Sequence, residues 1–409
     1  MTRPDLISRR SFSLAAACTA AAWLSGCTRS GTGRSAAPSG RALHAPPASP
    51  VDCPATAAPP TPMPLWETAV HRGLVYGSST ATWQISDRAY RALYTREAAI
   101  LFTEDDLLWY RLRPTPTSGL RFQYGDEIVA FAHRNQQLVF GAHLVWDAGF
   151  GHGWNRGELL GMDRSTARRI LFGTLDRVVH RYRGRVVAWS TVNEAIDTSG
   201  LRSDVPWFQT IGPGYVAEAF HRAHDADPNA LLVLNDNGFE TTDGLNDPAD
   251  KRAATLRVLD QLLHAGVPVH ALGVQAHLDA SYLDEFDQGA YRRFLADVAN
   301  RGLKILITEM DVLDDTLPTA IGPRDAAVAD IYRRYLDVAL DEPAVVSLMT
   351  FGLSDRYTWL QEDYPRQDGA ARRPLPFDNH LDPKPAYQAL QQSLGRAPRR
   401  SLAWQLPRC

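Results

Sequence analysis

The chain is poor in lysine. Of its 43 basic residues only Lys251, Lys304 and Lys384 are lysines; 46 acidic residues leave a formal net charge of −3. With no basic surplus, no nucleic-acid partner is expected. Cysteine is also scarce, four in 409 residues, too few for a disulfide-built scaffold. The apolar stretch from Leu14 to Leu24 is too short to cross a bilayer as a stable helix. No internal repeat is visible, and no glycine-rich phosphate loop follows the first strand-like run, which speaks against a nucleotide site on a doubly wound sheet. What remains is an ordinary globular composition, 44% hydrophobic and 22% charged, long enough for one large domain with appendages.

The amino-terminal end has its own character. Ser8-Arg9-Arg10-Ser11-Phe12-Ser13-Leu14 is a twin-arginine pattern, and the apolar stretch after it reads as a signal h-region. It ends in Leu24-Ser25-Gly26-Cys27, similar to a bacterial lipoprotein box with Cys27 as the lipidated residue; an ordinary signal with a chance cysteine is the alternative. A lipid would anchor the protein to a membrane, in the periplasm or at the cell surface, without making it span one; otherwise it would be secreted. Residues 28–62, rich in Ala, Pro, Ser and Gly, read as a disordered tether. The expected organisation is therefore a signal over 1–27, a tether over 28–62 and one folded domain over 63–409. Cys53, just before that domain, and Cys409, its last residue, could form a disulfide in an oxidising compartment, or stay as separate thiols.

From residue 70 onward apolar runs alternate with amphipathic helical stretches. Strands are predicted at 74–77, 99–102, 138–146, 186–192, 231–235, 271–275, 304–308 and 345–351. Helical spacing joins Ala167, Ile170, Leu171, Leu175, Val178 and Val179, and likewise Ile128, Val129 and Ala132, and Leu256, Leu259, Leu262 and Leu263. Eight strand–helix units in one domain point to an α/β fold, a (β/α)8 TIM barrel. Two of the runs end in a carboxylate: 186–192 leads into Asn193-Glu194, and 304–308 into Glu309. The carboxyl ends of barrel strands are where such folds keep their chemistry, and two carboxylates there can form the pair that cleaves a glycosidic bond.

These strand ends resemble glycoside hydrolase family 10, whose best-known members are endo-β-1,4-xylanases. The likeness runs from about residue 72 to 394 and rests on Trp189-Ser-Thr-Val-Asn193-Glu194-Ala195, Gly273-Val-Gln275-Ala-His277, Ile307-Thr-Glu309-Met-Asp311 and Phe351-Gly-Leu-Ser-Asp355 through Trp359. Pro374-Leu-Pro-Phe-Asp378 and Pro383-Lys-Pro-Ala-Tyr387 echo the family's closing stretch. The resemblance implies a retaining mechanism with two carboxyl groups about 5–5.5 Å apart. Glu309 would be the nucleophile and Glu194 the acid/base, its proton held on by the charge of Glu309. Asn193 would bond the sugar 2-hydroxyl, His277 would orient Glu309, Gln275 would fix its strand end, and Trp146 and Trp359 would offer faces to a sugar ring. No metal or cofactor is implied, and a monomer acting on xylan or a related β-glycan is expected.

Several sugar-binding positions depart from the pattern. Where the family reads Pro-Glu-Asn-x-x-Lys-Trp, this chain has Thr103-Glu104-Asp105-Asp106-Leu107-Leu108-Trp109, keeping Glu104 but carrying Asp105 and Leu108 for asparagine and lysine. The family's Gly-His-Thr-Leu-Val-Trp is Gly141-Ala142-His143-Leu144-Val145-Trp146, with the histidine one position late, on the opposite face of a regular strand. Asn237 stands in place of a tyrosine, removing a stacking ring on the leaving-group side, and Phe351 in place of a tryptophan. The bond-breaking residues are kept while sugar recognition is altered. Two rival readings follow: the same catalytic pair acting on a different β-glycan or glycoside, and a carbohydrate-binding lipoprotein without turnover.

Overall fold

The computed structural model describes residues 63–407, apart from 151–152 and 243–245. Cys27, Cys53 and Cys409, the signal and the tether lie outside the described residues. Among the described residues nine parallel strands are present: β1 (Val75–Ser79), β2 (Ile100–Phe102), β3 (Leu138–Gly141), β4 (Ala188–Asn193), β5 (Leu231–Asp236), β6 (Ala271–Val274), β7 (His277–Asp279), β8 (Lys304–Leu313) and β9 (Val345–Thr350). β6 and β7 are halves of one stave, since both pair with β8 and only Gln275 and Ala276 separate them. β1 pairs with β2 on one side and β9 on the other, so the eight staves close into a parallel barrel. All eight predicted strands are found.

Period-two alternation sorts the strand residues into two cores. Ile100 and Phe102 of β2, Val233 of β5 and Leu306 of β8 fill the barrel interior. Their neighbours Leu101, Leu232, Leu234, Ile305 and Ile307 pack outward under the helices. Fully burying each such aliphatic side chain contributes about 1.5–3 kcal/mol, which fixes the register of every stave. The predicted helical faces are buried in Gln123–Arg134, Arg164–Arg181 and Pro248–His264. Asp163 and Asp247 start two of these helices, each side chain accepting a hydrogen bond from the first turn.

Two boundaries differ from expectation by five residues, both next to the site. β3 stops at Gly141 rather than 146, because the chain from Ala142 onward leaves the ladder and rejoins β4 through the Leu144 N–H to Ser190 O bond and an isolated bridge between Val145 and Val192. β8 continues to Leu313, with a register shift between Ile307 and Met310. Among the described residues no helix is long and apolar enough to cross a membrane.

Candidate active site

The same alternation that buries Val233 carries Asn235 to the inward face at the carboxyl end of β5. There its Nδ2 donates to Asn193 Oδ1 and to Glu309 Oε1, both at 2.7 Å, and its Oδ1 accepts from Thr308 Oγ1 at 2.8 Å. Thr308 and Glu309, adjacent in sequence, thus both reach one side chain, which the register shift in β8 permits. Gln275, at the break between β6 and β7, donates from Nε2 to Asn193 Oδ1 at 3.2 Å and to Glu194 Oε1 at 3.1 Å. A continuous line of amides therefore joins the two glutamates: Glu194, Gln275, Asn193, Asn235, Glu309. Asn193, Asn235, Gln275 and Glu309 are buried, and Asn193 Nδ2 has no partner among the described residues. A buried amide donor is costly to leave unpaired, so this N–H is suited to a ligand hydroxyl.

Glu194 is held on every side. Its backbone lies in the left-handed region, φ 54°, uncommon for a residue with a side chain and characteristic of functional sites. Its N–H donates to Asn235 O at 2.9 Å and its carbonyl accepts from Arg202 Nη1 at 3.0 Å. Oε2 accepts from the Trp146 indole at 3.0 Å, and Oε1 also accepts from Asn237 Nδ2 at 3.3 Å. Arg202 further contacts Asp147 at 3.3 Å, whose carboxyl burial pushes up to about 6 despite that guanidinium.

Glu309 faces a charged histidine. His277 Nε2 is 3.3 Å from Glu309 Oε2 and Nδ1 is 2.8 Å from Asp311 Oδ1, while Trp359 Nε1 donates to Asp311 Oδ2 at 2.7 Å. Burial opposes charge on this imidazole, but Asp311 foremost and Glu309 with it hold its pKa up at about 10. It is an imidazolium at neutral pH, with both nitrogens donating. Phe351 and Trp359 pack against the same ring, at 5.5 and 5.4 Å between centroids.

Glu104 and Asp105 form a separate group at the end of β2. Glu104 accepts from Ser79 Oγ at 2.7 Å and Gln84 Nε2 at 3.1 Å, and burial with the adjacent Asp105 pushes its carboxyl up. Asp105 Oδ2 accepts from the exposed Trp83 indole at 2.9 Å and lies 3.4 Å from Arg111. Phe102 links this group to the one around Glu194 and Glu309 through Phe351 at 5.7 Å and His143 at 5.8 Å. His143 turns inward after all: with the ladder ended at Gly141, its ring is buried, bonded to Ser190 at 2.7 Å, and burial lowers its pKa. Leu108 is buried.

The ten sequence-proposed site residues thus fall into two neighbouring clusters. Sequence reading missed Asn235, Asp311, Asp147 and Arg202. Asp311 carries a period-two signal two places after Glu309, and Asn235 one from alternation with Val233. Arg202 reaches Glu194 from a loop and leaves no such signal. Among the described residues no group of three or more His, Cys, Asp or Glu side chains could hold a metal ion.

Comparison with known proteins agrees with this geometry. The family model for glycosyl hydrolase family 10 matches residues 65–393. The chain is 31% identical to endo-1,4-beta-xylanase B of Thermotoga neapolitana over 329 residues, 79% of this chain and 88% of that one. Its fold is similar to xylanase 10B of Thermotoga maritima, with TM-score 0.69, 30% identity, and 81% of this chain and 98% of that one covered. It is likewise similar to xylanase 10B of Thermotoga petrophila RKU-1 in complex with xylobiose, with TM-score 0.73, 30% identity, and 82% and 98% covered. A closed parallel barrel with linked glutamates, one just after β4 and one within β8, matched along nearly its whole folded length, places this chain in glycosyl hydrolase family 10.

Proposed function

We propose that the protein is a retaining endo-1,4-β-xylanase. The observation that carries this reading is the amide line joining Glu194 to Glu309, with the buried Asn193 N–H between them. In the first step a Glu309 carboxylate oxygen bonds to the anomeric carbon as the glycosidic C–O bond breaks, and the proton of Glu194 goes to the leaving oxygen. In the second, water attacks the same carbon, Glu194 takes its proton, and Glu309 departs as carboxylate. His277 and Asn235 fix the nucleophile, each through one oxygen. Similarity to xylanases, one of them holding xylobiose, supports xylan as substrate.

A second reading, a different β-glycan or glycoside, is favoured by the altered sugar-binding positions. Leu108 offers a buried aliphatic group where the family pattern has a lysine, and Ala142 and Phe351 replace a histidine and a tryptophan. Each hydrogen bond lost to a buried hydroxyl costs about 1 kcal/mol, more where a charged donor was involved. Reducing-sugar release from xylan, cellulose, glucomannan and mixed-linkage glucan, with Glu309→Ala as blank, separates the readings. Xylan-selective release that vanishes in the blank supports the first, and release confined to another glycan rejects it. Binding to one of the four without release from any would favour the non-catalytic reading.

The twin-arginine and lipobox patterns support export and anchoring through Cys27. Labelled palmitate uptake persisting in Cys27→Ala would reject the anchor. A thiol count unchanged by reduction would reject a Cys53–Cys409 bond.

A further inference from the structure

Asn237 stands where the family pattern has an aromatic ring, and the loss of that ring is only half of the change. Its backbone is fixed by an N–H donated to Asp236 Oδ1 at 2.9 Å. Its side-chain amide turns to the catalytic pair, Nδ2 donating to Gln275 Oε1 at 3.0 Å and to Glu194 Oε1 at 3.3 Å. Gln275 donates to that same oxygen at 3.1 Å. Two amide groups, bonded to each other, thus converge on one oxygen of the acid/base.

We propose that Asn237 is a positioning residue that fixes which oxygen of Glu194 carries the transferable proton and favours its release. The inference rests on Glu194 being the acid/base of the proposed reaction. A carboxylate oxygen has two in-plane acceptor sites, and two N–H donors on Oε1 occupy both. The proton of the acid form is therefore confined to Oε2, the oxygen that also meets the Trp146 indole. Hydrogen bonds donated to a carboxylate stabilise its ionised form over its neutral one, so the Asn237 amide makes Glu194 a readier proton donor and a weaker base.

Other charges act on the same carboxylate. Asp147 after β3 and Asp236 of β5 disfavour its ionisation, while Arg202 favours it; Glu309, joined to it through the amide line, adds a further like charge. Asp236 is itself bound to Lys251 at 2.7 Å, and His143, near both glutamates, is kept neutral by burial. None of these groups bonds to the Asn237 side-chain amide in the structure, so truncating that amide removes a donor from Glu194 and leaves the charges in place.

The test is a carbon-13 titration of the glutamate side-chain carboxyls in the full chain, with the Glu194 signal assigned by its disappearance in Glu194→Gln. In Asn237→Leu and Asn237→Ala the midpoint is expected to rise by about half a unit to one unit, the scale of one lost charge-assisted bond. The high-pH limb of kcat/KM should move up by the same amount on whichever glycoside is cleaved. Midpoints within about 0.2 units of wild type in both folded variants would overturn the proposal, the resolution being small against the shift expected. Should Asn237→Leu fail to fold, Asn237→Ala carries the test. Because the titration needs no substrate, inactivity on xylan would count against the xylanase reading alone.

Discussion

His277 lies between two carboxylates, Nε2 at 3.3 Å from Glu309 and Nδ1 at 2.8 Å from Asp311. Asp311 foremost holds this buried imidazole protonated, with a pKa of about 10 against an ordinary 6.5. A group whose pKa is raised by folding stabilises the fold most fully below its unfolded value and loses that contribution as the pH climbs through the folded one. The window here runs from 6.5 to about 10. Over it the wild type should lose stability on the order of a few kcal/mol. Asp311→Asn should flatten that decline, because it removes the principal source of the shift. Urea unfolding at several pH values between 6.5 and 10 measures both slopes; parallel slopes would show that Asp311 does not hold the proton.

Gly273 is a glycine because Asn235 needs its space. A Cβ there would come within 2.1 Å of Asn235 Oδ1 and 2.9 Å of Val233 Cγ1. Gly273→Ala should push Asn235 off both Asn193 and Glu309 and lower kcat about a hundred-fold, the usual cost of a displacement near 1 Å in a catalytic group. Asn235→Ala removes the clashing amide, so adding Gly273→Ala to it should cost little more. Additive losses in kcat would place the effect of Gly273 elsewhere.

The barrel was legible because each stave is a short apolar run buried on both faces, and each helix keeps its apolar residues at helical spacing. Glu194 and Glu309 were legible for a related reason, since a charge at the end of a buried run needs an explanation. The orientation of His143 was not. Alternation sends it outward along a regular strand, and nothing in the local sequence signals that the ladder ends at Gly141. Asn237 was read as a missing ring, because only three dimensions show its amide reaching Glu194. Arg202 was invisible for the same reason, its partners lying eight residues back at Glu194 and across a second loop at Asp147.

Arg202 pins Glu194, the proposed acid/base, from a loop. It bonds the carbonyl of Glu194, whose left-handed backbone has its N–H held by Asn235, and it reaches Asp147 beside Trp146. Arg202→Ala should release both the strained backbone and the segment carrying the Trp146 indole. Turnover of oligosaccharides should drop roughly ten- to a hundred-fold, within the range general acid catalysis supplies. Dinitrophenyl glycosides, whose leaving group departs without a proton, should lose several-fold less in the bond-breaking step. Arg202→Lys should recover part of the loss through its remaining charge and single donor. Equal losses on both substrates would indicate a general loosening of the barrel instead.

Beyond the carboxyl end of β9, Lys384 and Asp355 form a buried pair at 2.7 Å that seats the segment following that strand. Lys384 also donates to Arg373 O at 2.8 Å, and Asp355 accepts from the Leu375 N–H at 2.9 Å. Burial lowers the Lys384 pKa and raises that of Asp355 to about 6, each opposed by the partner's charge. Lys384→Met leaves the carboxylate buried without its cation and should cost about 3–5 kcal/mol. Replacing both residues, Asp355→Leu with Lys384→Met, removes the uncompensated charge and should cost less than the single variant, with only the Leu375 N–H and the Arg373 carbonyl left to find new partners. Asp355 begins the turn Asp355–Tyr357 that leads to Trp359, the donor to Asp311. In the single variant the His277–Asp311 pair should therefore loosen, and the pH slope of stability should fall toward that of Asp311→Asn. Denaturant unfolding of both variants decides the matter: a double variant no more stable than the single would mean that the pair stabilises through its hydrogen bonds rather than by balancing charge.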